Sequence, residues 1–378
     1  MRIGINVHLL STTHTGIQHY IRALVTELVT QASPEHEVLL YGERAQLPLP
    51  AGGSVQWRES ARPLRSGTRR VLWEQTILPR LLRRDDIHLF FSPAFILPVL
   101  WNGAGVVTVH DLNFEVSPQT IHPVRRAYLR AITRHSARRA RAVIAISGAT
   151  GADIGRFYGV PASKIAVIPY GLDAFFNPDN ARQVEPVVRE RYQLPEKFLL
   201  FVGTLEPRKN LLRLLEAYAL ALRQSSLPPL VLAGAPGWQH ERIRAQARRL
   251  GIEEKILFAG YIPREHLPGV YASARALLYP SLYEGFGLPP LEAMGCGTPV
   301  LASNLSAMPE VVGDAGVLVD PFSVQEMAEG IVRVTWDDAL RQQMVERGRE
   351  RALRFRWDES ARQTLCVIER AGGYSDAS

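Results

Sequence analysis

Two glutamates eight positions apart are the first residues whose type and spacing suggest chemistry. Glu284 and Glu292 lie in Tyr279-Pro-Ser-Leu-Tyr-Glu-Gly-Phe-Gly-Leu-Pro-Pro-Leu-Glu292, which predicts a buried strand, a turn and a short helix entered at two prolines. Glu284 then falls in the loop and Glu292 in the first helical turn. Proline is preorganised for that turn, so the amides of Gly287 and Leu288 should lie at a helix N-terminus and can receive an anion. Because the carboxylates suit sugar hydroxyls, the stretch predicts a nucleotide-sugar site.

A pair of cations follows another predicted strand. Arg208 and Lys209 end the segment Val202-Gly-Thr-Leu-Glu-Pro-Arg-Lys-Asn210, just before a predicted helix. Cations at a helix start oppose the helix dipole, so they gain most when an anion arrives. The pair therefore predicts a pyrophosphate clamp, and the motif alone leaves solvated loop charges as the alternative.

A histidine stands at the end of a third predicted strand. His110 is followed by Asp111, and ligands of parallel sheets gather at the carboxyl ends of the strands. A lone histidine is more often structural, so both a catalytic and a structural role stay open. No metal site is expected, because no tight His/Cys/Asp cluster occurs. The two cysteines, Cys296 and Cys366, cannot build a disulfide framework, which is typical of a protein from a reducing cytosol.

The elements that must position these residues form two series of alternating strands and helices. Such alternation predicts an α/β fold with parallel sheets. The predicted strands are residues 2–6, 37–41, 87–91, 106–110, 142–146 and 165–169, and then 198–202, 230–233, 256–258, 276–279, 300–302 and 317–319. Predicted helices include residues 16–31, 323–334 and 354–371, the first with Thr15 and Gln18 as a capping box.

Length and composition indicate a globular protein of two domains. The chain has 378 residues, of which 46% are hydrophobic and 21% charged. The predicted N-terminal domain is residues 1–172 and the C-terminal domain 194–356, with the polar segment 173–193 as the linker. We expect the final helix, in residues 357–378, to pack back on the N-terminal domain.

The net charge of +7 suits phosphorylated ligands, anionic membranes or nucleic acid. Residues 73–84 and 125–141 mix apolar and basic side chains, which predicts either contact with anionic lipid or an ordinary solvated helix face. Nucleic acid is not expected, since few aromatic residues are interleaved with the basic ones. Residues 89–109 carry no formal charge, but prolines and glycines break them into two predicted buried strands. With a first strand at the N-terminus in place of a signal peptide, the expected location is cytoplasmic, with peripheral contact to the inner face of the membrane as an option.

Two rival classes fit the sequence less well. A dinucleotide-dependent dehydrogenase needs a G-x-G-x-x-G turn after its first strand, whereas residues 7–16 here contain a single glycine. A two-lobed solute-binding protein would share the architecture, but it would normally carry an export signal.

The chain resembles the retaining, GT-B-fold glycosyltransferases of family 4. Glu284 to Glu292 is similar to the E-x7-E signature of that family, and the segment 202–210 also resembles a family motif. The remaining motifs stand in the family's order: Val109-His-Asp-Leu-Asn113, Val167-Ile-Pro-Tyr-Gly-Leu-Asp173, Val231-Leu-Ala-Gly-Ala-Pro-Gly-Trp238 and Phe258-Ala-Gly-Tyr-Ile-Pro263. The resemblance implies two Rossmann-like domains facing across a cleft.

The resemblance also implies roles for the matching residues. Glu292 would bind the ribose, Glu284 the donor sugar, and Arg208 with Lys209 the pyrophosphate, helped by the Gly287 and Leu288 amides. Gly16 would let its loop approach the donor phosphate, and His110 would lie by the transferred sugar. Where the family frequently has Gly-Arg-Leu, this sequence has Gly203-Thr-Leu205, so the role of that arginine would move to Arg208. The residues near the nucleotide base would be Gly260, Tyr261 and Ile262.

The resulting hypothesis is transfer of a hexose, mannose from GDP-mannose, to a lipid-linked or polysaccharide acceptor in bacterial surface glycan synthesis. No cofactor or metal is expected, because cations and helix amides can stabilise the departing pyrophosphate. The alternatives are a UDP-sugar-dependent transferase and a nucleotide-sugar epimerase of the same fold.

Overall fold

The chain folds into two compact units. A computed structural model describes residues 1–11, 16–32, 36–44, 47, 49, 55–60, 67–118, 121–237 and 239–374. The first unit comprises Met1–Gly171 and Arg356–Ser378, and the second comprises Leu172–Phe355. Each unit is built on one parallel β-sheet.

The sheet of the first unit has seven strands in the order β3-β2-β1-β4-β5-β6-β7, all parallel. The central strands are fully buried, as expected for a parallel sheet covered on both faces. The strands are β1 Arg2–Asn6, β2 Glu37–Gly42, β3 Val55–Glu59, β4 Leu89–Ser92, β5 Ala104–Val109, β6 Ala142–Ala145 and β7 Ile165–Val167.

Helices in the first unit lie between these strands and after the second unit. They are α1 Gly16–Gln31, α2 Gly67–Leu72, α3 Leu78–Arg84, α4 Asn113–Val116, α5 Pro123–Arg139, α6 Gly148–Tyr158 and α15 Trp357–Gly372. A single π-helical turn, Trp73–Ile77, joins α2 to α3. The last helix, α15, packs on α1 and on the central strands β4 and β5.

The sheet of the second unit has six parallel strands in the order β10-β9-β8-β11-β12-β13. They are β8 Leu199–Val202, β9 Leu230–Ala233, β10 Ile256–Gly260, β11 Ala276–Tyr279, β12 Val300–Ser303 and β13 Val317–Val319. The helices of this unit are α7 Pro178–Arg191, α8 Leu211–Gln224, α9 His240–Arg249, α10 Leu267–Ser273, α11 Leu288–Gly295, α12 Met308–Val312, α13 Val324–Trp336 and α14 Asp338–Ala352.

Both sheets share the strand order of dinucleotide-binding folds. In each, the first strand lies beside the fourth, and the order reverses between them: β1 beside β4, and β8 beside β11. Ligands of such sheets bind outside the carboxyl ends of the strands at this switch point. The predicted α/β class with two Rossmann-like domains is confirmed.

Several predicted elements differ from the observed ones. The segment 173–193, predicted as a linker, instead holds α7, whose side-chain cap Asn177 accepts from the Asp179 and Asn180 amides and which packs on α10. Only Ala181 and Val188 of its residues are buried, and most of the segment is polar, so few apolar positions mark it as a helix. The short edge strand β3 was not predicted. The helix over residues 16–31 is confirmed, but Thr15 of its predicted capping box lies outside the described residues.

Residues 89–109 form β4 and β5 joined by a loop, as predicted. Among the helices of the described ranges, none has the length and apolar character that crossing a bilayer requires.

Candidate active site

The predicted cation pair and the first glutamate meet at the switch point of the second sheet. Arg208 and Lys209 belong to a 3-10 turn, Pro207–Lys209, that follows β8, and Glu284 lies in the loop after β11. Because β8 and β11 are neighbours in the sheet, these two loops share one edge. The topology therefore brings together residues that are 75 positions apart in the sequence.

Glu284 accepts hydrogen bonds from both cations. Its Oε2 lies 2.6 Å from Arg208 Nη1 and its Oε1 lies 2.5 Å from Lys209 Nζ. The Tyr279 hydroxyl also donates to Oε1 at 3.2 Å, and Lys209 donates to that hydroxyl in turn. Lys209 is 5% exposed, so the alternative of solvated loop charges is wrong.

Burial and charge act in opposite directions in this triad. Burial favours the neutral form of Glu284, but the charges of Arg208 and Lys209 outweigh it and lower the pKa of the carboxyl to about 2. Burial lowers the pKa of Lys209 to about 8, against the attraction of Glu284. At neutral pH the triad thus consists of one carboxylate and two cations, and it carries a net positive charge that suits an anionic ligand.

The helix that follows Glu284 is capped by a glycine whose backbone conformation other residues rarely adopt. Gly287 caps α11 with φ +123°, and a Cβ there would lie 2.3 Å from Met308 Cε. The helix begins at Leu288, so the Gly287 and Leu288 amides lie at its N-terminus, where N–H groups have no partner within the helix. Glu292 is consequently the fifth helical residue and opens the second turn, not the first as predicted.

The second glutamate is held by two residues that the sequence did not indicate. Glu292 is 2% exposed; its Oε1 accepts from Arg264 Nη1 at 2.7 Å and its Oε2 from the Tyr271 hydroxyl at 2.9 Å. Arg264 also pairs with Asp173 at 2.9 Å, and its guanidinium lies 4.8 Å from the centre of the Phe176 ring. Glu292 is therefore fixed in position before any ligand binds.

The remaining predicted positions of this unit lie at the same carboxyl edge. Gly203 follows β8 with φ +149°, and a Cβ at this position would lie 3.5 Å from Lys209 Cε. Tyr261 and Ile262 follow β10; the tyrosine is 59% exposed while the isoleucine is buried. An exposed aromatic ring at this edge is suited to stacking against a flat ligand such as a nucleotide base.

His110 lies in the first unit, directly after β5. Its Nε2 is 2.7 Å from the Pro93 carbonyl oxygen and its Nδ1 is 2.6 Å from the Tyr170 hydroxyl. Because a carbonyl only accepts, Nε2 carries the proton and Tyr170 donates to Nδ1. Burial lowers the pKa of His110 to about 4, so the ring is neutral at physiological pH and its catalytic role stays a prediction. Gly16 is exposed at the start of α1.

Comparison with known proteins identifies the family. Residues 187–351 match the family model described as glycosyl transferases group 1, and residues 14–174 match glycosyltransferase family 4. The O-antigen chain mannosyltransferase B of Escherichia coli is 36% identical over 75% of this chain and 74% of its own length. The chain belongs to glycosyltransferase family 4.

Further similarities agree with this membership. The MMP α-(1→4)-mannosyltransferase of Mycolicibacterium hassiacum is 32% identical over 71% of this chain and 68% of its own length. The solved sucrose-phosphate synthase of Thermosynechococcus elongatus superposes with a TM-score of 0.75 over 99% of this chain and all of its own, at 22% identity. At this low identity, the similarity to sucrose-phosphate synthase shows the fold alone. The predicted glycosyltransferase activity and the GT-B fold are confirmed.

In this glycosyltransferase, two carboxylates of the second unit form ion pairs with basic side chains at the candidate site. One joins Glu284 to Arg208 and Lys209, and the other joins Glu292 to Arg264. Within the described ranges, no three His, Cys, Asp or Glu side chains are grouped as metal ligands would be. The individual roles of the site residues stay predictions.

Proposed function

We propose that the protein transfers mannose from GDP-mannose, with retention of configuration, to a lipid-linked or polysaccharide acceptor in bacterial surface glycan synthesis. The single observation that carries the chemistry is the buried triad of Glu284, Arg208 and Lys209 beside the N-terminus of α11. The choice of mannose and of a surface glycan is supported by the names of the two similar mannosyltransferases.

The triad suits departure of a nucleoside diphosphate. When the bond between the sugar C1 and the diphosphate oxygen breaks, its electron pair goes to the diphosphate. Arg208 and Lys209, together with the Gly287 and Leu288 amides, stabilise that charge without having to reorganise, because the surrounding contacts already fix them. Glu284 holds both cations in place and offers its carboxylate to hydroxyls of the donor sugar.

Formation of the new bond needs a proton acceptor. The oxygen of the acceptor hydroxyl bonds to C1 on the face that the diphosphate leaves, and the hydroxyl proton passes to the departing diphosphate oxygen. His110 is neutral, and its two ring nitrogens are already hydrogen-bonded to Tyr170 and to the Pro93 carbonyl. It therefore does not act as the base. Glu292 binds the ribose hydroxyls from its fixed position.

A panel of donors and acceptors tests this function. Purified protein is incubated with GDP-mannose, UDP-glucose or UDP-galactose, each with octyl α-glycosides of mannose, glucose, galactose and N-acetylglucosamine. We expect release of GDP from GDP-mannose that depends on an octyl glycoside, and an α-linked product by NMR. Release of UDP alone would show that the donor is a UDP-sugar, as in the alternative function. If no glycoside stimulates release of either nucleotide, the proposed function is wrong.

We further propose that the first unit contacts anionic lipid. Helix α5 carries six arginines and no acidic residue: Arg125, Arg126, Arg130, Arg134, Arg138 and Arg139. The loop after β4 is hydrogen-bonded to both α5 and α3. Arg139 of α5 donates to the Trp101 carbonyl, and Arg83 of α3 donates to the Leu100 carbonyl. Exposed apolar side chains accompany them, with Leu100 54% and Val124 73% exposed. Basic and apolar groups together suit an anionic bilayer surface.

Removing two of these charges should weaken membrane binding. Each arginine near an anionic surface contributes about 1 kcal/mol, or roughly fivefold in the partition coefficient. The double variant Arg125→Gln/Arg134→Gln should therefore sediment less with phosphatidylglycerol vesicles at low salt. The matched control, Arg242→Gln/Arg249→Gln on α9, removes the same charge from the second unit and should sediment as the wild type does. Equal loss in both variants, or no sedimentation of the wild type, would contradict the proposal.

A further inference from the structure

A second buried polar cluster lies in the first unit, at the switch point of its own sheet. Asn6 ends β1, His8 follows it, and Glu74 comes from the π-helical turn that joins α2 to α3. All three side chains are less than 5% exposed. The chemistry proposed above uses none of them, although the carboxyl edge beside β1 is where ligands of such a sheet bind.

One carboxyl oxygen of Glu74 is committed and the other is not. Glu74 Oε1 accepts from Asn6 Nδ2 at 3.1 Å and lies 3.3 Å from His8 Nδ1. Asn6 Oδ1 accepts from His8 Nδ1 at 2.6 Å, so Asn6 and His8 orient each other and the carboxyl. Glu74 Oε2 is buried, yet it bonds to no residue in the part of the chain that the structure describes. A buried acceptor without a donor is unfavourable, and native proteins keep few of them.

A second unused polar group lies on α5. The Tyr128 hydroxyl is buried and likewise has no hydrogen-bond partner among the described residues. Burial raises the pKa of Tyr128, the charge of Glu74 raises it further, and Arg70 opposes this, so the three side chains lie within electrostatic range of one another. Glu74 supplies an acceptor and Tyr128 a donor.

The neighbouring strand adds a third group. Ser92 ends β4, and the register of Ile5 with Phe91 puts Ser92 level with Asn6 across the switch point. Its hydroxyl is fully buried and has no partner within the described ranges. Glu74 and Ser92, from two different elements, thus each present an unpartnered polar atom at this edge of the sheet, and Tyr128 presents another within electrostatic range of Glu74.

We propose that Glu74 and Tyr128 bind hydroxyl groups of the acceptor glycan, while Asn6 and His8 hold the Glu74 carboxyl in position. This inference rests on the proposed transferase function. A sugar hydroxyl can donate to Glu74 Oε2, and another hydroxyl of the glycan can accept from Tyr128, so the donor and acceptor character of the two groups suits a polyhydroxylated ligand. A phosphate fits less well, because the Glu74 carboxyl would repel it and Arg70 only balances that charge.

The π-helical turn explains how an acidic residue reaches this edge from a basic segment. Residues 73–84 were predicted as a basic surface, and the flanking arginines do lie outward. One wider turn in the helix brings Trp73 and Glu74 inward together, and such turns occur frequently at functional sites.

Acceptor kinetics test the assignment. The probe is whichever octyl α-glycoside the wild type glycosylates fastest. Glu74→Gln keeps an oxygen for Asn6 but replaces the second acceptor by a donor, and Tyr128→Phe removes one hydroxyl. We expect Glu74→Gln to raise the KM for the glycoside about 10- to 100-fold, and Tyr128→Phe to raise it about 3- to 10-fold. The KM for the donor and the slow donor hydrolysis without acceptor should not change.

Thermal stability separates this role from a structural one. Burial raises the pKa of Glu74 to about 7, above its value in the unfolded chain, so the stability that its protonated form contributes is lost as the pH rises through 7. Glu74→Gln carries no such charge, and its Tm at pH 8 should equal or exceed that of the wild type. If Glu74 only anchored the helix, the Tm would fall instead.

The matched control is a buried carboxyl at the opposite edge of the same sheet. Asp85 precedes β4 and accepts from the Tyr41 hydroxyl and from Arg58 Nε, each at 2.9 Å. Asp85→Asn should lower the Tm and leave the acceptor KM unchanged. An unchanged acceptor KM in Glu74→Gln would overturn the inference while the transferase function stands. A wild type that glycosylates none of the probes would overturn both.

Discussion

Replacing Glu284 by glutamine should abolish transfer while nucleotide binding largely survives. The substitution keeps the shape of the side chain but removes the charge that lies 2.6 Å from Arg208 and 2.5 Å from Lys209. Lys209 is buried and its pKa is already lowered to about 8, so without Glu284 it loses its proton at neutral pH. A neutral lysine cannot stabilise the departing diphosphate. We expect kcat to fall by about 10²–10³-fold or more, the range seen when one preorganised group is removed from a transition-state site.

Binding of the product nucleotide should respond less. Arg208 stays charged, the α11 amides are unaltered, and the diphosphate itself replaces Glu284 as the counter-ion of Arg208. The Kd for GDP, measured by calorimetry, should therefore change by less than about tenfold, which corresponds to one modest charge interaction. Initial-rate kinetics with GDP-mannose then give the loss of transfer separately.

Glu206, a second carboxylate that forms an ion pair with Arg208, provides the control for Glu284→Gln. Glu206 Oε2 lies 3.1 Å from Arg208 Nε, but the Glu206 side chain is 35% exposed. Water replaces such a contact, so Glu206→Gln should retain most of the activity. Parallel loss of transfer and GDP binding in Glu284→Gln would mean that Glu284 maintains the site as a whole and has no particular role in transfer.

The sequence predicted the strands well because parallel strands are buried on both faces and appear as apolar runs. Four of the predicted ranges, 2–6, 230–233, 276–279 and 317–319, match the observed strands in full. The strand β3 was missed because it lies at the sheet edge and alternates polar with apolar residues, so it shows no apolar run. Helix α7 was missed because only Ala181 and Val188 of its 14 residues are buried.

The candidate site was predictable only where its residues lie in recognisable turns. Glu284, Arg208 and Lys209 follow strands, and their motifs carry a signal in the local sequence. Arg264 and Tyr271 come from a short turn and from α10, 28 and 21 positions before Glu292, and nothing local marks them. Glu74 was hidden for a similar reason, since its inward direction depends on a π-helical turn that periodicity does not reveal.

Breaking the contact between Arg264 and Glu292 should destabilise the second unit more than any surface substitution. Glu292 is 2% exposed, and among the described residues Arg264→Met leaves its carboxylate only the Tyr271 hydroxyl as a side-chain hydrogen-bond donor. Removing one partner of a buried ion pair typically lowers the free energy of unfolding by about 3–5 kcal/mol. Urea unfolding followed by circular dichroism measures this loss. Arg182→Met, which breaks the exposed pair with Asp179, should change it by less than about 1 kcal/mol.

The double variant Arg264→Met/Glu292→Gln distinguishes the structural role of this pair from its role in binding. Because it removes both buried charges, it should recover part of the stability that Arg264→Met loses, as expected for coupled neighbours in a double-mutant cycle. Asp173, the other partner of Arg264, is better exposed and can be solvated. Affinity for GDP should not recover, since the carboxylate assigned to the ribose is gone; we expect a Kd at least about tenfold above that of the wild type. Wild-type affinity in the double variant would show that Glu292 serves the fold and that the ribose is bound elsewhere.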